Sequence, residues 1–266
     1  MPIVFVIDID GCLVGDITPQ LILYEMAAEL KKHNIKIPIN MKEFHDKLKS
    51  GIVRPHFIDF YKQMKRDIPD VEFFIYTASQ KKWAEYLVKN IEKSLNISFN
   101  RPLFTRDNCI LMNKECKKSL RIIKPFIIKT LKKKHGYIES LDNKILMIDN
   151  TNVFHDYDQK SLLLCRTYKY HNLDNIPIII KENIYNTNKS ILNNILKKYI
   201  NIPYEPHNYQ DFEKLFYSYY VSQITDENNN ELSDKFWYML TRIITEKTIR
   251  YFSPKAVEYL NRKLKS

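Results

Sequence analysis

The sequence predicts an α/β fold: a central, mainly parallel sheet flanked by helices, followed by a helical C-terminal appendage. Three observations carry this. Apolar runs of strand length, rich in β-branched and aromatic residues, stand at 3–7, 71–76 and 144–148. Helix-length stretches separate them, as the crossovers of a parallel sheet require. Each run ends abruptly in small polar or acidic residues, and beyond about residue 190 the strand signals stop.

The elements follow in order. The run 3–7 has no polar alternation, so it reads as a central strand buried on both faces. A helix is expected over 19–34, with Thr18 as N-cap and Pro19 in its first turn. A second is expected over 41–50, closed by Gly51. A third, over 55–66, sets Phe57, Phe60, Tyr61 and Met64 on one face. The strand at 71–76 leads into an amphipathic helix over 80–93. A short apolar run at 110–112 comes next, and Pro125 opens a lysine-rich helix that Gly136 closes. Strands at 144–148 and 162–165 complete the sheet. Helices are expected at 190–200, 209–224, 231–252 and 254–264, with a polar loop at 225–230. This gives an α/β domain over 1–185, interrupted by an insertion at about 17–52, and a helical extension over 190–266. The extension's aromatic stripe, including Phe212, Phe216, Tyr219, Tyr220, Phe236 and Trp237, is expected to pack on the sheet domain; a docking or dimer surface is the alternative.

With 266 residues, 44% of them hydrophobic, the chain can bury a full core. Its net charge of +11 favours phosphorylated or acidic partners. The lysines are dispersed among isoleucine, asparagine and tyrosine, a mixture that an AT-rich coding genome also produces. Cys12, Cys109, Cys116 and Cys165 show neither CxxC pairing nor zinc spacing. With no signal peptide evident, they read as reduced thiols of a cytoplasmic or nuclear protein. No apolar run approaches the ~18 residues of a membrane span, so no membrane partner is expected.

Chemistry gathers at the strand ends. Asp8 and Asp10 are spaced i, i+2 and can face one ligand. A buried strand that runs into paired carboxylates needs something to satisfy them, and a divalent cation would do so. Alone, Asp-Ile-Asp-Gly could also be a solvated turn or the acidic pair of a metal-dependent sugar transferase. Thr77 and Ser79 end the second strand, and Asp149 and Asn150 end the third. In a parallel sheet all three carboxyl ends lie on one edge, where such folds bind ligands.

On these residues the sequence resembles the haloacid dehalogenase superfamily of phosphotransferases. Within it, the chain is similar to the FCP/SCP-type, NLI-interacting-factor-like phosphatases that act on the C-terminal domain of RNA polymerase II. The resemblance covers about residues 3–170. It rests on Asp8-Ile9-Asp10, Arg54-Pro55-His56 followed by Asp59-Phe60, and Tyr76-Thr77-Ala78-Ser79. It continues through Arg106-Asp107-Asn108-Cys109, Lys118-Ser119-Leu120 and Ile148-Asp149-Asn150-Thr151. The ordered set is specific, whereas each piece alone is not.

The resemblance implies a Rossmann-like fold and a Mg²⁺-dependent phosphatase. Asp8 would be the nucleophile, forming an aspartyl-phosphate. Asp10 would protonate the leaving oxygen and then activate water, which calls for a carboxyl of raised pKa. Thr77 would hold a non-bridging phosphate oxygen, and a lysine would offset the developing charge. Mg²⁺ would be held by Asp8, the Asp10 carbonyl, and Asn150 or Asp149. Lys118 matches the family's lysine but precedes Asp149 by 31 positions, longer than usual. Lys124-Pro125, with Lys124 25 positions before Asp149, resembles the wider superfamily's Lys-Pro, and Lys117 and Lys144 complete the candidates. Gly11-Cys12 stands where the family often has Glu-Thr, and Cys12 reads as a small buried residue or a redox-sensitive thiol. His56 and His155 could touch substrate or be structural; Arg106 could bind a second phosphate or a peptide, or form a surface ion pair. The expected partner is a phosphorylated protein or peptide, with a phosphoserine or phosphothreonine substrate. A nucleic-acid partner stays open, as for a nucleotidase or polynucleotide 3′-phosphatase, and so does a non-catalytic scaffold of the same fold.

Overall fold

The computed structural model describes residues 2–15, 18–37, 41–112, 115–138, 140–170, 180–200, 202–224 and 233–265. Four parallel strands make the central sheet: β1 (Ile3–Ile7), β2 (Val71–Ile75), β5 (Ile145–Asp149) and β6 (Leu162–Leu164), in the order β2-β1-β5-β6. The chain leaves β1 for β2 on one side and returns to β5 on the other. That reversal opens a crevice outside the carboxyl ends of β1 and β5. The register aligns Ile7 with both Ile75 and Ile148. Asp8, Thr77 and Asp149 therefore emerge along one edge.

Every residue of β1 is buried, and its side chains serve two cores in alternation. Phe5 and Ile7 join a cluster built with α3 (Phe57–Asp67) and α4 (Lys81–Leu95). Val4 and Val6 join one built with α5 (Leu120–His135). The run at 110–112 forms β3 (Ile110–Met112), which pairs antiparallel with β4 (Glu115–Lys117) in a hairpin beside the sheet. The polar sequence of β4 carries no strand signal, so only the apolar half of the hairpin was legible.

The insertion contributes α1 (Thr18–Lys32), α2 (Met41–Lys47) and a π-helical turn over Leu48–Ile52. The helix expected over 41–50 thus ends early. Gly51, at φ 155°, bends the chain where a Cβ would overlap the Tyr170 ring. The helix expected from residue 55 starts at Phe57 because His56 adopts a left-handed conformation, φ 64°. Pro125 does not open α5, which begins five residues earlier. Its first turn is capped across the molecule, with Asp158 accepting from the Ser119 hydroxyl at 3.1 Å and the Leu120 amide at 2.8 Å. A cap 38 residues away leaves no local signal, and it holds the helix start despite the proline.

The C-terminal helices divide between two cores. Helix α6 (Glu182–Tyr199) starts earlier than expected and bends at Asn188. With α7 (Tyr209–Ile224) it packs on α1, where Ile22, Met26, Leu196, Phe212 and Phe216 are buried together. Helices α8 (Phe236–Glu246) and α9 (Pro254–Lys265) join the sheet core instead. The Trp237 ring centroid lies 5.1 Å from Phe57 and 4.8 Å from Phe60. The single helix expected over 231–252 stops at Glu246. The chain then turns so that Phe252 donates its amide to the Asn143 carbonyl and its ring meets Phe5 at 5.6 Å. The aromatic stripe therefore splits, Phe236 and Trp237 facing the sheet core and Phe212 and Phe216 facing α1. The loop at 225–230 lies outside the described residues, as do the Tyr219 and Tyr220 side chains. Among the described residues no helix is long and apolar enough to cross a membrane.

Candidate active site

After β1 the chain makes a tight loop. The Asp8 amide donates to the Ile148 carbonyl at 2.9 Å, tying the loop to β5. The Ile9 carbonyl accepts from the amides of Cys12, Leu13 and Val14. Gly11 sits at φ 73°, and a Cβ there would lie 2.6 Å from Asn150 Nδ2. Glycine is thus required twice, by the turn and by the close approach of Asn150.

Asp8 and Asp149 face each other across Lys118, whose Nζ lies 2.5 Å from Asp8 Oδ1 and 2.7 Å from Asp149 Oδ2. All three are buried. Lys118 is aimed there by a bridge to Phe154: its amide donates to the Val153 carbonyl, and its carbonyl accepts from His155. The other Asp149 oxygen accepts the Thr151 amide and hydroxyl, both at 2.8 Å. Burial pushes the Asp8 carboxyl up to about 7, against the pull of the Lys118 ammonium, with Asp149 and Asp10 adding repulsion. Burial acts the other way on Lys118, but the two carboxylates outweigh it and hold its pKa above the ordinary lysine value. The ammonium also lies 5.7 Å from the ring centroids of Tyr76 and Phe154, so aromatic faces replace much of its hydration.

Asp10 is placed differently. Its Oδ2 accepts from the Ser79 hydroxyl at 2.7 Å and from the Thr77 hydroxyl at 3.4 Å. The Ser79 amide donates to Thr77 Oγ1 at 3.1 Å, locking the two hydroxyls together. The loop is fastened by Arg106, whose Nε donates to the Ala78 carbonyl and whose amide donates to the Ser79 carbonyl. A cleft of 370 Å³ opens beside these groups, lined by Asp10, Ser79, Trp83, Asn150, Thr167 and Lys169 among others. Among the described residues of 17–52 only Leu21 enters its lining.

The six residues singled out in sequence, Asp8, Asp10, Thr77, Lys118, Asp149 and Asn150, thus lie at one sheet edge. The competing lysines lie elsewhere. Lys124 pairs with Asp142 at the surface, Lys117 belongs to β4, and Lys144 donates to the Arg250 carbonyl and covers Tyr251. His56 is an exposed neighbour of Asp59 and Tyr238, and the His155 ring stacks on Tyr157. Cys12 is buried with its Sγ 3.7 Å from that of Cys165. Three polar residues at the site went unassigned in sequence. They are Ser79, visible as the i+2 partner of Thr77; Thr151, which fixes Asp149; and Thr167, which accepts from Asn150 Nδ2 at 3.1 Å. Nothing local marks Thr167.

Among the described residues no three His, Cys, Asp or Glu side chains converge as a cage for a metal. Both Asp149 oxygens are engaged. The oxygens that suit a hard cation are therefore few: Asp8, the Asp10 carbonyl, and the Asn150 carbonyl, whose amide nitrogen is turned to Thr167. One carboxylate with neutral oxygens and water is a donor set that Mg²⁺ accepts. The residues present fit such an ion.

A parallel α/β sheet thus brings a carboxylate loop, a hydroxyl pair, a buried lysine and a second acid to one edge, the arrangement that the resemblance to haloacid dehalogenase phosphatases implies. The family model described as NLI interacting factor-like phosphatase matches residues 3–180, and the chain belongs to that family. No curated protein sequence matches it. Among solved structures it is similar to Fcp1, described as an essential RNA polymerase II CTD phosphatase. The identity is 14%, the TM-score 0.39, and the match covers 95% of this chain and 68% of that one. An arginine-to-alanine variant of the fission yeast enzyme bound to beryllium fluoride matches to the same extent. A superposition this loose carries nothing about substrate.

Proposed function

We propose that the protein is a metal-dependent phosphatase that works through an aspartyl-phosphate on Asp8, with phosphoserine or phosphothreonine peptides as substrates. The observation that carries this is the Lys118 ammonium bridging two buried carboxylates beside the cleft that holds Asp10.

Asp8 attacks phosphorus, and the bond to the leaving oxygen breaks as Asp10 hands that oxygen a proton. Asp10 then takes a proton from water as the water oxygen displaces the Asp8 carboxylate and releases phosphate. Ser79 and Thr77 hold Asp10 by Oδ2 at the edge of the cleft, which fixes the carboxyl that carries the proton. Thr77 also supplies a hydroxyl near the phosphoryl oxygens. Lys118 balances charge on those oxygens and on Asp8, and Asp149 keeps Lys118 in place. Mg²⁺ held by Asp8, Asn150 and the Asp10 carbonyl would neutralise the phosphate dianion that the Asp8 carboxylate must approach.

The cleft favours a peptide. Among the described residues of the insertion only Leu21 lines it, and the Trp83 ring is buried against Tyr24 and Tyr86 instead of offering a face to a base. The test is p-nitrophenyl phosphate hydrolysis with Mg²⁺. Native protein should turn over, Asp8→Asn should be inactive, and Asp10→Asn should lose roughly 10²–10⁴-fold. No turnover by folded native protein overturns the enzymatic reading and leaves a scaffold. The kcat/KM values for phosphopeptides, nucleoside monophosphates and 3′-phosphorylated oligonucleotides then test the substrate class, and a preference for either nucleotide overturns the peptide assignment.

A further inference from the structure

The stretch that continues β6, residues 165–168, is tied to both loops that carry the candidate metal oxygens. The Cys165 amide donates to the Asp149 carbonyl at 2.9 Å, next to Asn150. The Tyr168 amide donates to the Gly11 carbonyl at 2.7 Å, next to Asp10. Tyr168 is itself fully buried, and its hydroxyl donates to the Gly51 carbonyl at 2.5 Å. The strap is fixed at each end, and Thr167 stands between the two tethers.

The Thr167 side chain divides its two arms between those loops. Its Cγ2 lies 3.0 Å from the point that a Gly11 Cβ would occupy, and its Oγ1 accepts from Asn150 Nδ2 at 3.1 Å. Gly11 closes in on the same carboxamide, since its Cβ would stand 2.6 Å from Asn150 Nδ2 and 3.1 Å from Cγ. Asn150 is thus held between a residue with no side chain and a hydroxyl. Half a turn about the last bond of an asparagine exchanges its oxygen with its nitrogen, and only the oxygen can bind a hard cation. An acceptor at Thr167 Oγ1 favours the rotation that turns the nitrogen away and leaves the oxygen for the ion. The backbone tethers of Cys165 and Tyr168 account for the course of the strap, and they need no hydroxyl at position 167. Thr167 is exposed where it lines the cleft, so its hydroxyl is not needed to satisfy a buried group either.

We propose that Thr167 is a positioning residue of the metal site, its hydroxyl holding Asn150 in the rotation that presents a carbonyl oxygen to Mg²⁺. This rests on the reading of Asn150 as a metal ligand in the proposed phosphatase. Groups that orient a metal ligand are worth roughly 10–100-fold in metal affinity.

The test is calorimetric titration of the full chain with Mg²⁺. Thr167→Val keeps the shape and removes the acceptor, and it should weaken Mg²⁺ binding about tenfold or more. Thr167→Ser restores the hydroxyl and should bind as native protein does. Asn150→Ala and Asn150→Ala/Thr167→Val should bind equally weakly, because Thr167 acts through Asn150. In p-nitrophenyl phosphate hydrolysis, Thr167→Val should be slow at limiting Mg²⁺ and recover the native kcat at saturating Mg²⁺, with substrate KM unchanged. Native affinity in Thr167→Val overturns the inference alone. So does an equal loss in Thr167→Ser, which means that the side chain acts by shape, or a further loss from Thr167→Val in the Asn150→Ala background, which means that it acts elsewhere. Mg²⁺ binding that depends on the Thr167 hydroxyl in a native protein without turnover overturns the phosphatase reading and upholds this inference. No Mg²⁺ binding by native protein overturns both.

Discussion

Two carboxylates two positions apart meet opposite surroundings. Asp8 is sealed against Lys118, where burial pushes its pKa up and the ammonium pulls the other way. Asp10 faces the cleft, fixed by hydroxyls on one oxygen. Such divergence is how one loop supplies both a nucleophile and a proton carrier. Ser79 makes the shorter of the two contacts to Asp10, so Ser79→Ala should lower kcat about tenfold, the worth of one hydrogen bond to a charged group. Substrate KM should hold steady, because Ser79 orients the acid; a change confined to KM would instead make it a binding residue. Gly11→Ala combines a left-handed φ with a Cβ 2.6 Å from Asn150 Nδ2. It should weaken Mg²⁺ binding, measured by calorimetry, more than it lowers thermal stability, since Asn150 moves more easily than the β1 loop.

At the scale of elements, β2 carries an anomaly that its neighbours resolve. Glu72 is fully buried in a strand that otherwise reads as apolar. Burial pushes its carboxyl up, but Lys134, Asn100 and His135 donate to it and the Lys65 ammonium lies 3.8 Å away. Together they hold its pKa below the ordinary value. A depressed pKa stabilises the fold above the unfolded value near 4.5, and the benefit is lost as pH falls through the lowered one. Glu72→Gln should therefore cost ~2 kcal/mol at pH 7, or about 4–8 °C in Tm. The gap between variant and native protein should close below about pH 4. A gap independent of pH would mean that the carboxyl acts by shape and not by charge. Glu72 sits at the far end of the sheet from Asp8, so turnover should be untouched at temperatures where both proteins are folded.

For the whole molecule, the last helices are part of the scaffold that carries the site. Trp237 on α8 is fully buried between Phe57 and Phe60 of α3, and Phe60 packs edge-on to Phe5 of β1. Trp237→Ala should destabilise by about 3–5 kcal/mol through the cavity it leaves. Denaturant unfolding should still show one transition, because α8 and the sheet share a core. Two separated transitions would show instead that the C-terminal helices fold as an independent unit. The pairing of α1 with α6 and α7 ties the insertion to the C-terminal half through a third core.

Much of the site was written locally. Hydrophobic runs of strand length ending in Asp8, Thr77 and Asp149 fixed the sheet edge, because a parallel sheet puts every such ending on the same side. The i, i+2 spacing of Asp8 and Asp10 and the turn-forming Gly11 were equally local. What the chain order could not decide was anything held by partners distant in sequence. Which lysine reaches Asp8 depended on a bridge between Lys118 and Phe154. Where α5 begins depended on Asp158, and how the aromatic helices divide depended on which core had room for them. Arg54 is the clearest case. In sequence it is one residue of an Arg-Pro pair, and only folding brings Asp234, 180 positions away, onto its fork. Local patterning determines which backbone form a segment takes, because periodicity and turn chemistry act over a few residues. Charge pairing and burial act across space, so the cleft and its lysine exist only in the folded chain.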